Sequence, residues 1–134
     1  MYIFRLHRGD DLKQSILEFC KMNNINSGIM ACAVGCCSKV RFRLAGAESF
    51  YEDERDYEIV SIMGTISKDG VHIHMSVSDE EGNTIGGHLK DGCIINTTAE
   101  IVLKSFDNIK FNREFDDKTG YNELTITNVK GRTR

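Results

Sequence analysis

Residues 58–78 have the sequence EIVSIMGTISKDGVHIHMSVS, which is two extended runs joined by a turn signal. The first run is rich in β-branched residues, and Lys68-Asp69-Gly70 is typical of a hairpin turn. Because side chains alternate between the faces of a strand, the apolar residues of the second run share one face. Its histidines and serines share the other. The stretch therefore predicts an antiparallel hairpin with a buried face and a polar face.

The same kind of pattern extends along the chain in both directions. Apolar residues recur at helical spacing only near the N-terminus, which predicts an amphipathic helix over about residues 11–22. Asp11 is suited to cap its first turn. We expect further strands at residues 2–7, 29–34, 39–44, 93–106, 109–115 and 121–127, with another beginning at 84. This indicates an α+β fold: mainly antiparallel β-sheet with one long N-terminal helix.

The chain is organised as one unit. Its 134 residues include no proline, no linker-like segment and no repeat. We therefore expect a single domain over residues 1–134, with a core of about 2–127 and a basic tail at 128–134. The acidic segment 52–58 and the tail are the two candidates for disorder.

Charge and cysteine content limit the partners and the compartment. Lys and Arg total 17 and Asp and Glu total 20, a net charge of −3, which disfavours general binding to nucleic-acid phosphates. No apolar run is long enough to span a bilayer and no signal peptide is visible, so we expect a cytoplasmic protein with no membrane partner. In that compartment the five cysteines are expected to be reduced, buried or partly buried structural thiols.

Three histidines form the candidate site for chemistry. His72 and His74 lie two positions apart on the polar face of a strand, so their backbones are roughly 7 Å apart and both imidazoles can reach one ion. His88 follows the pair Gly86-Gly87, and a turn at 79–83 would return it toward them. Three neutral imidazoles with an open fourth position are typical of catalytic zinc. The spacing thus indicates zinc on His72, His74 and His88.

A structural interpretation stands beside this one. Exposed histidine pairs on strands are common, and a diglycine bend can be purely architectural. Asp91 and Glu100 are candidates to accept hydrogen bonds from the free ring nitrogens. Glu100 is also the candidate catalytic acid–base residue. We interpret His7, at the end of a strand, as an unrelated surface residue.

The ordered series of motifs resembles one family over nearly the whole chain, about residues 2–127. The chain is similar to the plants-and-prokaryotes-conserved (PPC) domain, of the stand-alone prokaryotic type related to AT-hook DNA-binding proteins. The matching segments are Glu58–Ile66, His72-Ile73-His74, Gly86-Gly87-His88-Leu89 and Thr97-Thr98-Ala99-Glu100-Ile101, with Gly9-Asp10-Asp11-Leu12 upstream.

The resemblance implies a compact α+β subunit and a homotrimer. It implies zinc on the positions of His72, His74 and His88, as in some members, and a fold similar to that of alpha-acetolactate decarboxylase. Plant members carry AT-hooks, which need an Arg-Gly-Arg core followed by proline. This chain ends in KGRTR, residues 130–134, without proline. We expect that tail to be solvated charge.

Three functions follow as hypotheses. The first is a homotrimeric DNA-binding or regulatory member of the family with a three-histidine zinc site, supported by Arg41, Arg43 and the basic tail. The second is a zinc-dependent enzyme, a decarboxylase or hydrolase of a small carbonyl substrate. The third is a trimer that binds a small-molecule ligand without catalysis.

Overall fold

The computed structural model describes residues 1–128, in one helix and nine strands. The helix is α1 (Leu12–Met22). The strands are β1 (Tyr2–His7), β2 (Ser27–Arg43), β3 (Phe50–Asp53), β4 (Tyr57–Ser67), β5 (Gly70–Ser78), β6 (Thr84–Leu89), β7 (Ile94–Ser105), β8 (Ile109–Asp116) and β9 (Tyr121–Asn128).

The helix is short, and the prediction of a long N-terminal helix is wrong. α1 has 11 residues, and the described chain is otherwise mostly antiparallel strand. Asp11 begins the helix by accepting the Gln14 N–H. The chain leaves the helix through Asn23 and Asn24, and Asn24 takes a left-handed φ of 53° that a helix cannot continue. No helix in the described part of the chain has the length and apolar character needed to span a bilayer.

Seven strands form one sheet in the order β1-β7-β2-β4-β5-β6, with β3 paired to β2. Strand β6 also pairs with the end of β2, through Phe42–Leu89 and Arg43–His88. The pairings β2–β4, β4–β5, β5–β6 and β6–β2 therefore close into a ring. This closure brings the C-terminal end of β2 against β6.

Two predicted strands, 29–34 and 39–44, are a single strand, β2. The register of β2 against β7 shifts on both sides of Cys37, so bulges bend the strand without ending it. Gly35 marks the bend, where a Cβ would lie 2.1 Å from the Thr98 carbonyl oxygen. The sequence pattern predicted two strands here, and pairing with β7 makes them one strand with bulges.

The prediction of disorder for residues 52–58 is wrong. Phe50–Asp53 pairs with β2, and Tyr57 is buried at the start of β4. The Tyr57 hydroxyl donates to Asp53 at 2.8 Å and accepts from Arg55 Nε at 3.0 Å. The acidic side chains thus have cationic and hydroxyl partners that hold the segment. Of the tail predicted at 128–134, only Asn128 lies within the described residues.

The core lies between α1 and the inward faces of the strands. Leu12, Ile16 and Cys20 of the helix are buried, and Phe19 stacks on Phe4 of β1 with ring centroids 3.8 Å apart. In β5 the predicted alternation is confirmed: Ile73, Met75 and Val77 are buried while His74 points outward. Burial of the apolar face therefore fixes the histidines on the outer face.

The hairpin β8–β9 forms its own two-stranded sheet and docks on the larger one. The Phe111 N–H donates to the buried Ser27 Oγ at 2.8 Å. Arg113 donates from Nη2 to Thr65 Oγ1 at 2.9 Å and from its backbone N–H to Asp69 at 3.0 Å. These contacts place the hairpin beside the outward face of β5.

Candidate metal centre

The structure brings the three predicted histidines together. His72 and His74 project from the outer face of β5, and His88 of β6 lies opposite His74 in the strand register. One nitrogen from each ring falls within 4.8 Å of the other two. The Nε2 atoms of His72 and His74 are 3.1 Å apart. Two adjacent strands of one sheet therefore supply all three rings.

The diglycine explains why β6 fits where it does. A Cβ on Gly86 would lie 2.4 Å from the Met75 carbonyl oxygen, and one on Gly87 would lie 2.7 Å from the Arg43 carbonyl oxygen. Both distances are too short for any side chain. Because neither residue has one, β6 can lie between β5 and β2 and pair with both. His88 takes its place in the group as a result.

Burial and neighbouring charges keep the His72 and His88 rings neutral. Burial, together with the nearby charges of Arg43, His72, His74 and Lys90, lowers the pKa of His88 to about 4. Burial also lowers the pKa of His72, with contributions from His74, Arg113 and Arg43, against an opposing contribution from Glu123. A neutral imidazole has a free nitrogen lone pair. Both rings are thus in the form that binds a metal at neutral pH.

The residues present fit a zinc ion. Two imidazole nitrogens bound tetrahedrally at 2.0–2.1 Å from zinc lie about 3.3 Å apart, close to the 3.1 Å between His72 and His74. In addition, Nδ1 of His88 is buried and has no hydrogen-bond partner among residues 1–128. A buried polar atom without a partner costs about 1–3 kcal/mol, so a ligand to this nitrogen would stabilise the protein. All-imidazole donor sets suit zinc.

The other candidate residues lie elsewhere. Glu100 is exposed on β7, opposite Arg5 and Val34, and is not part of the histidine group. Asp91 pairs with Lys13 at 2.9 Å. The acid–base role of Glu100 stays a prediction. His7 is exposed, next to Arg5 and Asp10, as expected for a surface residue.

Sequence reasoning missed the residues that surround the histidines. A pocket of about 510 Å³ is lined by His72 and His88 and by residues of β2 and of the β8–β9 hairpin. Its charged and aromatic lining residues are Arg43, Asp69, Arg113, Tyr121 and Glu123. Arg43 had been noted only as part of a general positive charge. The hairpin residues carry no spacing signal, because their position depends on docking across the fold.

A family model matches residues 1–107, which include both histidine-bearing strands, and it describes the Plants and Prokaryotes Conserved (PCC) domain. The chain belongs to the PCC-domain family. The resemblance to the PPC domain is therefore confirmed, under the other abbreviation of the same name. The matched residues stop before the β8–β9 hairpin.

Solved structures agree with this assignment over almost the full chain. A hypothetical protein from Salmonella enterica is 31% identical, with a TM-score of 0.91 over 95% of this PCC-domain chain and 92% of that one. A plant- and prokaryote-conserved protein from Pyrococcus horikoshii is 32% identical, with a TM-score of 0.78 over 92% and 90%. Both carry the same architecture as this chain.

More distant structures share the fold alone. They include a metal-containing protein from Archaeoglobus fulgidus at 24% identity and TM-score 0.69, covering 92% of this chain and 91% of that one. A candidate DNA-binding protein from Bacteroides thetaiotaomicron has 22% identity and TM-score 0.82, covering 92% and 90%. A Staphylococcus aureus protein described as similar to alpha-acetolactate decarboxylase has 17% identity and TM-score 0.54, covering 79% and 52%.

Curated relatives contain a related sequence as part of a larger protein. The bifunctional protein GlmU of Synechococcus sp. strain JA-3-3Ab is 42% identical over 129 residues, which are 96% of this chain and 21% of that protein. The chain therefore spans about a fifth of the curated relative's length. The activities of the longer protein do not follow from this match.

Proposed function

We propose that this PCC-domain chain binds zinc through His72, His74 and His88. The observation that carries the proposal is the convergence of three imidazole nitrogens within 4.8 Å of one another. In addition, Nδ1 of His88 is buried and has no hydrogen-bond partner in the described part of the chain. The Archaeoglobus relative, which is described as metal-containing, supports the proposal. When bound, zinc supplies a Lewis acid and lowers the pKa of a coordinated water to about 7.

Metal analysis tests this proposal. Protein purified without chelator should contain close to one zinc per chain by inductively coupled plasma mass spectrometry. The His74→Ala variant should lose most of that zinc, because it removes one of three donors. His7→Ala is the matched control, since His7 is exposed and apart from the group. Equal zinc content in the His74→Ala and His7→Ala variants would rule the site out.

We further propose that the zinc-bound protein is a homotrimeric regulatory or DNA-binding member of the family. The Bacteroides and Ralstonia relatives, each described as a candidate DNA-binding protein, support the DNA-binding role. Two of the cations on β2 are already paired: Lys39 with Glu52 and Glu54, and Arg41 with Glu52. Any DNA affinity would therefore depend on other cations. Gel retardation across a salt series tests it, and no shift at low salt would reject it.

A zinc-dependent enzyme acting on a small carbonyl compound is the second candidate function. It is favoured by the pocket of about 510 Å³ that opens on His72 and His88, a volume within the range of small-molecule sites. Decarboxylation of small oxo acids and hydrolysis of esters and amides are the reactions to assay. Turnover by zinc-loaded protein that the His88→Ala variant lacks would support the enzyme. Binding without turnover would favour a ligand-binding module.

The proposed trimer has a candidate surface. Ile3 is 73% exposed and Val34 is 63% exposed. Ile3 and Cys32 both lie opposite Val102 of β7, and Val34 lies opposite Glu100, two residues along the same strand. All three residues therefore lie on the outer face of β1-β7-β2. Apolar residues grouped on an exposed sheet face are typical of subunit contacts. Light scattering should give a mass of three chains for the wild type. Val34→Asp should lower that mass.

We also propose that residues 1–134 form one domain in a reducing, cytoplasmic compartment. The buried Phe111–Ser27 hydrogen bond supports a single unit, because it ties the hairpin beyond the family match to β2. All five cysteines are unpaired, which supports a reducing compartment. Limited proteolysis should leave residues 106–108, between β7 and the hairpin, uncut. Cleavage there with release of the hairpin would contradict the single unit.

A further inference from the structure

The strands that carry the histidines also bring a guanidinium group beside them. Arg43 lies directly opposite His88 in the β2–β6 register, as His74 does in the β5–β6 register. Residues opposite each other on antiparallel strands project from the same face, with Cβ atoms about 4.5–5.5 Å apart. Arg43, His88 and His74 therefore form a row across three strands. The strand pairing thus places Arg43 in the pocket beside the histidines.

Arg43 has no ion-pair partner among the described residues, although it is half-buried. Its Nε atom is buried without a hydrogen-bond partner, and its guanidinium lies 5.9 Å from the centre of the Tyr121 ring. Arg41, two residues earlier on the same face, differs because its Nε lies 3.3 Å from Glu52. Arg41 and Glu52 do not form a hydrogen bond through this nitrogen, but the carboxylate of Glu52 compensates the charge of Arg41.

A second guanidinium enters the same pocket from the hairpin. Arg113 donates to the neutral Thr65 hydroxyl and, like Arg43, forms no ion pair within the described chain. It lines the same pocket as His72 and His88. Two arginines that form no ion pair with residues 1–128 thus line the pocket beside the histidine group. Guanidinium groups that are free of direct ion pairs are typical of oxyanion-binding sites.

The pocket also contains acidic groups, and these select the ligand. Asp69 accepts the Arg113 backbone N–H, and Glu123 lines the same pocket as His72 and His88. Both would repel a second negative charge. A phosphate group carries about −1.5 to −2 at pH 7, whereas a carboxylate carries one charge and matches the planar fork of arginine.

We propose that this pocket binds a small monocarboxylate, with its carboxylate held by Arg43 and Arg113 beside the three histidines. The inference deepens the proposed function and rests on it for one feature, the zinc next to which the ligand lies. The arginines are independent of the metal. The β8–β9 hairpin, outside the family match at 1–107, supplies Arg113, Tyr121 and Glu123 and so sets the ligand preference.

Fluorine NMR titration tests the proposal, because line broadening detects weak binding. The probes are trifluoroacetate and its uncharged analogue trifluoroacetamide, with inorganic phosphate as competitor. Wild-type protein should bind trifluoroacetate at least about tenfold tighter than the amide, as expected for a charge-assisted hydrogen bond. Arg43→Met should abolish that preference. Glu123→Gln should tighten trifluoroacetate binding, because it removes an opposing charge.

Arg41→Met is the matched control, since it removes an arginine from the same strand face outside the pocket lining. It should leave binding unchanged. If Arg43→Met does not fold, Arg43→Lys provides the comparison: it keeps the charge, loses the fork, and should bind more weakly than wild type. Three outcomes would each overturn the proposal. Trifluoroacetamide could bind as tightly as trifluoroacetate, or Arg41→Met could weaken binding as much as Arg43→Met. Phosphate could also bind more tightly than trifluoroacetate and displace it.

Zinc content measured on the same samples separates the two hypotheses. Arg43→Met should keep its zinc while losing the anion. Protein that purifies without zinc, yet binds trifluoroacetate through Arg43, would reject the metal site and support the carboxylate pocket. Protein with a full complement of zinc that shows no charge preference would reject the carboxylate pocket alone.

Discussion

At the scale of single residues, the site depends on what its side chains lack. Among the described residues, His88 has a buried nitrogen without a partner and Arg43 has no counter-ion, and Gly87 has no side chain. The nitrogen without a partner and the cation without a counter-ion each cost stability, whereas the missing side chain of Gly87 lets β6 pair with β2. Together they leave a neutral ring and a free cation at one point of the surface, and this is the physical basis of the proposed site.

The titration of His88 gives the first prediction. Its pKa in the folded chain is lowered to about 4, so the unfolded state, near 6.5, binds more protons between those values. The free energy of unfolding of zinc-free protein should therefore fall as the pH falls through this range. Urea denaturation across the pH series measures it. His88→Gln should flatten the slope, and His7→Gln should not; equal slopes in both variants would count against a neutral His88.

Gly87 gives the second prediction. A methyl group there would meet the Arg43 carbonyl oxygen at 2.7 Å, so Gly87→Ala should push β6 away from β2. We expect a loss of about 1–3 kcal/mol in the free energy of unfolding, as for overpacked sites. Zinc content should fall as well, although no ligand is changed. Thr84→Ala on the same strand is the control, and a Gly87→Ala protein with unchanged stability and zinc would contradict the proposed role.

At the scale of elements, one carboxylate joins the start of α1 to the connection that follows β6. Asp11 accepts the Gln14 N–H at the helix start through one oxygen and the Gly92 N–H at 2.6 Å through the other. Gly92 follows β6 and precedes β7. The same side chain therefore caps the helix and fixes the connection that leads away from His88.

Replacement of Asp11 gives the third prediction. Asp11→Ala loses a helix cap and a charge-assisted hydrogen bond, so we expect a loss of about 2 kcal/mol in the free energy of unfolding. Asp11→Asn keeps the cap but presents an amide donor to the Gly92 N–H, and it should fall between wild type and alanine. Chemical denaturation measures both. An alanine variant as stable as wild type would show that the connection to β7 is held without this residue.

At the scale of the whole molecule, the thiols report on burial and assembly. Cys37 and Cys93 are fully buried, and burial raises the pKa of Cys37 to about 12 and that of Cys93 to about 11. Both should resist alkylation because the reactive thiolate is scarce and inaccessible. Cys32 is exposed, contrary to the expectation that every thiol is at least partly buried. It lies on the face proposed for trimer contacts.

Alkylation of Cys32 gives the fourth prediction. If the outer face of β1-β7-β2 is covered in a trimer, Val34→Asp should expose it and speed the reaction of Cys32 with iodoacetamide. Mass spectrometry of tryptic peptides follows each thiol separately. Cys37 should stay unmodified in both proteins, which provides an internal control for folding. Equal rates at Cys32 in wild type and variant would place the subunit contact elsewhere.

Local patterns in the sequence determined much of this protein. Alternation over Val71–Ser78 correctly assigned the buried and outward faces of β5, and periodicity located the helix within a residue of its bounds. The order of the histidine and glycine motifs identified the family. These features depend on residues a few positions apart, so the spacing of side chains along the sequence is enough to predict them.

Only the tertiary structure decided the rest. The bulges that keep β2 continuous and the ordering of residues 52–58 depend on partners distant in the chain. The approach of Arg43 to His88 follows from closure of β2 on β6, and Arg113 joins them by docking of the hairpin. Strand pairing of this kind is selected by the burial of whole faces, and no local repeat in the sequence encodes it.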